Sequence, residues 1–134
     1  MARMAPEQLK ARLDNLTIKL IPAAADGMAK AVLNIEARAR LNCTPGSSPY
    51  ESAGKLRGAP FDTGHLRANI KHDTQITGRT VTGLVGDPVE YAEAVHEGTS
   101  RMQGRPFILD AIVSERDTTI DLLSAALSDA LEDT

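Results

Sequence analysis

From Pro6 to Leu41 the sequence carries apolar residues at the spacing of one helix face. The stripe runs through Leu9, Leu13, Leu16 and Leu20 and continues through Met28, Val32, Ile35 and Ala39. This recurrence every three or four residues predicts a long amphipathic helix. Pro22 interrupts the pattern. Because proline lacks a backbone donor and clashes with the preceding turn, we expect a kink or a break near residues 20–22.

The segment from Asn42 to Gly64 is rich in proline, glycine and serine and has no sustained period. This composition indicates a long loop. Loops longer than about 15 residues are uncommon inside compact domains and usually serve a partner or a function. We interpret residues 42–64 as an inter-subunit arm, and a disordered surface loop is the alternative.

The second half of the chain predicts a small sheet. Residues 62–70 are typical of a short helical turn in which Asp62 or Thr63 is the N-cap and Gly64 adopts an unusual backbone angle. Residues 71–76 and 80–86 have the composition and alternation of two strands joined by a glycine-containing hairpin turn.

Two helices are expected after the hairpin. Residues 89–96 predict a short helix, residues 97–104 a flexible turn, and Pro106 the start of a final helix that continues almost to the C-terminus. Its stripe comprises Ile108, Ala111, Ile112, Ile120, Leu123, Leu127 and Leu131. The sequence therefore predicts an α+β domain with a long N-terminal helix, an extended loop, a small antiparallel β-sheet, a short helix and a long C-terminal helix.

Length and charge favour a single domain that assembles with copies of itself. The chain has 134 residues and only 3% aromatic residues, so its core is lean and we expect apolar surface to remain for partners. Residues 1–71 carry 11 Lys and Arg against 6 Asp and Glu, whereas residues 72–134 carry 4 against 12. Such polarity suits head-to-tail contacts. Two ordinary solvated faces of opposite charge are the alternative.

The sequence gives little support for catalysis, metal binding or membrane insertion. Cys43 is the only cysteine, which excludes a four-cysteine zinc site. The three histidines and four nearby acidic residues lack the spacing of a metal or hydrolytic site. They are His65, His72, His96, Asp62, Asp73, Glu93 and Glu97. We expect no enzymatic activity, no cofactor, no metal and no membrane-spanning segment. A nucleic-acid-binding module is a remote alternative, because the net charge is -3 and stacking aromatics are scarce.

Three short segments carry a resemblance to a known family. They are Asp62-Thr63-Gly64 with Leu66 and Arg67, then Tyr91-Ala92 with Val95, Gly98 and Thr99, and finally Arg105-Pro106-Phe107. In this order and spacing they resemble the neck or tail-completion proteins of long-tailed bacteriophages, often described as minor tail components. The similarity covers about residues 60–111.

The resemblance implies a structural virion protein at the head–tail junction, made in the host cytoplasm and assembled as a ring, most simply a hexamer. Its implied partners are head-completion or connector proteins and the tail tube or terminator. Genomic DNA is expected to pass through the ring without sequence-specific binding. A tail terminator or another minor tail protein is the alternative within this class, because fold-level likeness does not fix a ring's position in a stack.

Within the motif, the residues have structural and subunit-contact roles by their chemistry. We expect Arg67 and Arg105 to pair with a carboxylate such as Glu93 or Glu97 on the same or a neighbouring subunit. Phe107 is expected to anchor the last helix in the core, with an interface role as the alternative. The acidic C-terminal helix is expected to line the channel or to contact a basic neighbouring ring through Asp121 and Asp129.

Overall fold

A computed structural model of the protein describes residues 5–44, 64–99 and 102–132. It has the predicted α+β architecture and is mostly helical. The elements in chain order are α1 Pro6–Asn42, α2 His65–Ala68, β1 Lys71–Thr77, β2 Thr80–Gly86, α3 Ala92–Glu97, β3 Gly98–Thr99, β4 Met102–Gln103, α4 Phe107–Ser114 and α5 Arg116–Glu132. Most of the predicted long loop lies outside the described residues.

The long N-terminal helix is confirmed. Of the kink or break expected near Pro22, the break is wrong and the kink stays a prediction. α1 continues through the proline to Asn42. A proline removes only one helical hydrogen bond, and neighbouring packing can offset that loss. Leu123 and Leu127 of α5 line the same groove as Leu20 and Ala24, which lie on either side of Pro22. The tertiary contact therefore supports the helix where the local sequence opposes it.

The predicted hairpin is confirmed. β1 and β2 pair antiparallel, with Lys71 opposite Gly86 and Thr77 opposite Thr80. Gly78 in the turn has a φ of 60°, a conformation that favours glycine. The hairpin lies close against α1 at Gly83, where an added Cβ would approach Val32 Cγ1 to 2.5 Å. The absence of a side chain at Gly83 therefore sets the distance between the sheet and α1.

Three local predictions need correction. The final helix is two helices that separate at Glu115, whose carboxylate accepts hydrogen bonds from Asn34 and Arg38 of α1. The predicted flexible turn contains the small β3–β4 pair. The short helix begins at Ala92, three residues later than predicted, after a turn in which the Ala92 N–H bonds to the Val89 carbonyl.

The core lies where the second half of α1 meets α2, α3 and α4. Its buried members are Ile35, Ala39, Cys43, Leu66, Ile70, Ala92, Phe107 and Ala111. The apolar residues of the first half of α1 do not share it, since Leu9 and Leu13 are about half exposed. No helix in the described parts of the chain has the length and apolarity needed to cross a membrane.

Candidate subunit interface

The three motif segments converge on the core. Leu66 is 1% exposed and Phe107 is fully buried, although they lie far apart in the sequence. Ala92 is also buried in the same cluster, and Tyr91 and Val95 pack against it. Asp62 and Thr63 lie outside the described residues. The described part of the motif therefore builds the interior that positions the surrounding helices.

Backbone hydrogen bonds join the second and third segments. The Arg105 N–H donates to the Val95 carbonyl at 2.8 Å, and the Pro106 carbonyl accepts from the Asp110 N–H at 2.8 Å. Asn42 Nδ2 donates to the Phe107 carbonyl at 2.9 Å and thereby ties α4 to the end of α1. Asn42 is buried, and sequence reasoning missed this role because a polar residue at a helix end is typical of a solvated cap.

Two glycines of the motif have a positive φ angle. Gly64, and not Asp62 or Thr63 as expected, occupies the N-cap of α2 with a φ of 77°, and a glycine has no side chain to cap the helix. Gly98 follows α3 with a φ of 86°. Thr99 is exposed and pairs with Met102 through the backbone of β3 and β4. These positions explain why glycine stands in the motif at both turns.

The charged motif residues make contacts beside the core. Arg67 Nη1 donates to Thr44 Oγ1 at 3.3 Å. Glu97 pairs with His96, with 2.7 Å between Oε1 and Nδ1. Glu97 is exposed, so its carboxylate is also accessible from outside the chain. Pairing of Arg67 or Arg105 with a carboxylate of a neighbouring subunit stays a prediction.

The histidines occupy three different environments. His72 bonds to the buried Glu36, which also pairs with Arg40 at 2.6 Å. His96 Nε2 accepts the backbone N–H of Leu109 at 3.2 Å, and the His65 ring lies 6.5 Å from the Tyr91 ring. Within the described ranges, no group of three or more His, Cys, Asp or Glu residues is arranged to hold a metal ion.

Cys43 is a buried thiol at the end of α1, in agreement with the expected small residue after the helix. Burial, reinforced by the nearby Asp87 carboxylate, raises the pKa of the Cys43 thiol to about 12. Burial also raises the pKa of Asp87, although the Val89 N–H donates to its Oδ1. A thiol that stays protonated near neutral pH is a poor nucleophile. Cys43 therefore has a packing role.

A second buried carboxylate fixes the junction of α4 and α5. Glu115 accepts from Arg38 Nε at 2.7 Å and from Asn34 Nδ2 at 2.8 Å. The hydrogen bond from Arg38 lowers the pKa of Glu115, with a smaller contribution from Asn34. The contact attaches the C-terminal helices to the middle of α1.

Replacing Arg38 with glutamine is expected to flatten the acid limb of the stability profile. A lowered pKa in the folded state stabilises the protein above the ordinary glutamate value of about 4.3, and this contribution is lost as the pH falls through the lowered pKa. The loss in the unfolding free energy between about pH 5 and about pH 3 should shrink by up to about 1 kcal/mol, because Arg38 is partly exposed. Urea unfolding across this range measures it. Lys30→Gln, an exposed control on the same helix, should leave the profile unchanged; equal profiles for all three proteins contradict the prediction.

Large apolar side chains are exposed at both ends of α1. Near its start, Leu9 and Leu13 are 49% and 54% exposed. Near its end, α4 exposes Leu109, Ile112 and Val113. α4 is tied to Asn42, so the two surfaces lie roughly 40 Å apart at about 1.5 Å per helical residue. A single contact between two subunits, if of ordinary size, is too small to cover both apolar surfaces.

The exposed surface on the C-terminal helices corrects one prediction. The stripe from Ile108 to Leu131 was expected to face the core, but Ile112, Ile120 and Leu131 are 43–50% exposed. The adjacent apolar pair Ile112–Val113 was a usable signal, because neighbouring positions on a helix do not share a face.

No family model, curated protein or solved structure matches this chain. The candidate interface therefore rests on the exposure, charge and geometry of its own residues.

Proposed function

We propose that this chain is a structural virion protein of a tailed bacteriophage that forms a ring at the head–tail junction and joins the head connector to the tail tube. The observation that carries the proposal is the pair of exposed apolar surfaces at opposite ends of α1, which include Leu9 and Leu13 at one end and Leu109 and Val113 at the other. Two different surfaces on one subunit suit heterologous contacts, which form a ring when the rotation between neighbouring subunits closes.

The distribution of charge supports the same role. α5 carries Asp117, Asp121, Asp129 and Glu132 on exposed positions, against the single basic residue Arg116. A surface of this sign repels nucleic acid, as a channel that lets DNA slide requires, and it attracts a basic protein surface. The resemblance of the motif to neck and tail-completion proteins supports the head–tail junction as the place of such a ring. A tail terminator needs the same apolar surfaces and the same acidic charge, and it differs from a neck protein only in its position in the stack of rings.

Light scattering and negative-stain imaging test the proposal. The purified protein is expected to form a closed ring, alone or when mixed with tail tubes and DNA-filled heads. Rings bound at the end of a tail tube or at the portal of a head support the joining role. A monomer that binds neither particle contradicts it.

A further inference from the structure

α1 extends beyond the helix that packs against it. An added Cβ at Gly27 would lie 3.1 Å from Ala126 Cβ, and Glu115 bonds to Arg38, so α1 and α5 run antiparallel. At equal rise per residue, this register places Glu132 beside roughly residues 17–21 of α1. All residues from 5 to 15 are exposed. We call residues 6–20 the α1 extension; its last turn, at Thr17 and Leu20, lies beside the end of α5 in the same chain.

The α1 extension is amphipathic. Its stripe comprises Leu9, Leu13, Leu16 and Leu20, with successive spacings of four, three and four residues. By helical geometry, Lys10 and Arg12 flank this stripe on opposite edges, whereas Glu7 and Asp14 lie on the far side. A helix of about four turns is marginal in water without packing. The exposed leucines therefore indicate a surface that a partner covers.

α5 carries a stripe with the same spacing. Ile120, Ser124, Leu127 and Leu131 again follow intervals of four, three and four residues. Ile120 and Leu131 are 50% and 48% exposed, whereas Leu127 lies at the edge of the groove between α5 and α1 of the same chain. Asp117, Asp121 and Glu132 lie along one edge of this stripe, and all three are exposed. Both stripes span eleven positions, or about 16 Å of helix.

We infer that the α1 extension of one copy packs lengthwise on the exposed stripe of α5 in a second copy. Matching four-three spacings allow side chains of two helices to interdigitate as they do in coiled coils. A basic edge of the extension, such as that with Arg12, then meets the acidic edge of α5. This complementarity selects a second copy as the occupant. The inference rests on the proposed ring, for which it supplies one subunit contact.

Polar substitution of the stripe tests the inference. Leu9→Ser/Leu13→Ser is expected to retain the melting temperature of the wild type and the helical circular dichroism of the chain outside the α1 extension, because both leucines are about half exposed. Its self-association, measured by sedimentation, should weaken at least tenfold. The control Leu33→Ser changes a leucine on the same helix that is 57% exposed and lies outside both the extension and the apolar surface at the end of α1. It should associate as the wild type does.

Charge inversion tests the orientation of the two edges. Arg12→Glu and Asp121→Arg are each expected to weaken self-association about two- to fivefold per contact, in line with exposed ion pairs worth about 0.5–1 kcal/mol. The combined variant R12E/D121R should recover it. Lys30→Glu, the same kind of charge change on an exposed residue outside the extension, should have no effect.

The outcomes separate this inference from the proposed function. Unchanged self-association of the Leu9/Leu13 variant overturns the inference and leaves the ring at the junction intact. Wild-type protein that self-associates through the extension but binds neither heads nor tail tubes supports the inference and contradicts the function. A wild-type chain that stays monomeric under all these conditions overturns both.

Discussion

Replacing Phe107 with alanine is expected to lower the free energy of unfolding by about 3–5 kcal/mol. Phe107 is fully buried among Leu66, Ala92 and other core residues, and its ring meets the His96 ring edge-on at a centroid distance of 5.6 Å. Its core neighbours are aliphatic side chains that are themselves buried, so their relaxation fills the resulting cavity only in part. Urea unfolding followed by circular dichroism measures the change.

Leu109→Ala is the control for this substitution. Leu109 lies two residues further along α4 and is 51% exposed, so its loss should change stability by less than about 1 kcal/mol. Equal effects at Phe107 and Leu109 contradict the core position of Phe107. A large loss at Phe107 alone supports core packing over the interface role considered from the sequence.

Replacing Leu66 with alanine is expected to cost about 2–5 kcal/mol. Leu66 is 1% exposed and belongs to the four-residue helix α2, which has no side-chain cap of its own. Such a short helix depends on tertiary packing for its stability. Leu33→Ala, at a position that is 57% exposed on α1, is the matched control and should cost less than about 1 kcal/mol.

The two substitutions also separate folding from assembly. Because Phe107 and Leu66 lie in the interior, their loss should reduce assembly only to the extent that it unfolds the chain. Below the unfolding temperature of each variant, the folded fraction should still associate. Loss of association by a fully folded Phe107 or Leu66 variant would assign these motif residues to the interface instead.

Regular periodicity allowed much of the fold to be predicted. The stripe of α1 and the alternation of β1 and β2 are patterns that repeat over many residues, and both elements formed as expected. Single residues were harder to interpret. Pro22 opposes the helix locally, but α5 packs on both sides of it, and such a long-range contact is absent from a local pattern.

The break between α4 and α5 depends on a contact that the sequence does not display. Glu115 is separated from Arg38 by 77 positions, yet their hydrogen bond fixes the end of α4. Isolated acidic residues in a helical segment usually lie in solvent, so nothing marked Glu115 as buried.

The candidate interface was predicted only in outline. The small number of aromatic residues correctly indicated a lean core with apolar surface left over, but the motif residues proposed for subunit contact are partly interior, as Leu66 and Phe107 are. Their order in the sequence reflects the packing of α2, α3 and α4. The exposed leucines of α1 belong to the same periodic stripe as the buried residues Val32 and Ile35. Periodicity alone does not show at which residue a helix extends beyond the helix that packs against it.

The position of the protein on assembled phage particles tests the central claim most directly. Particles from cells that carry this gene can be labelled with a gold-conjugated antibody against the chain and imaged by negative stain. The account predicts label concentrated at the junction between head and tail. Label along the tail tube, at the distal tip, or absent from the particles contradicts it.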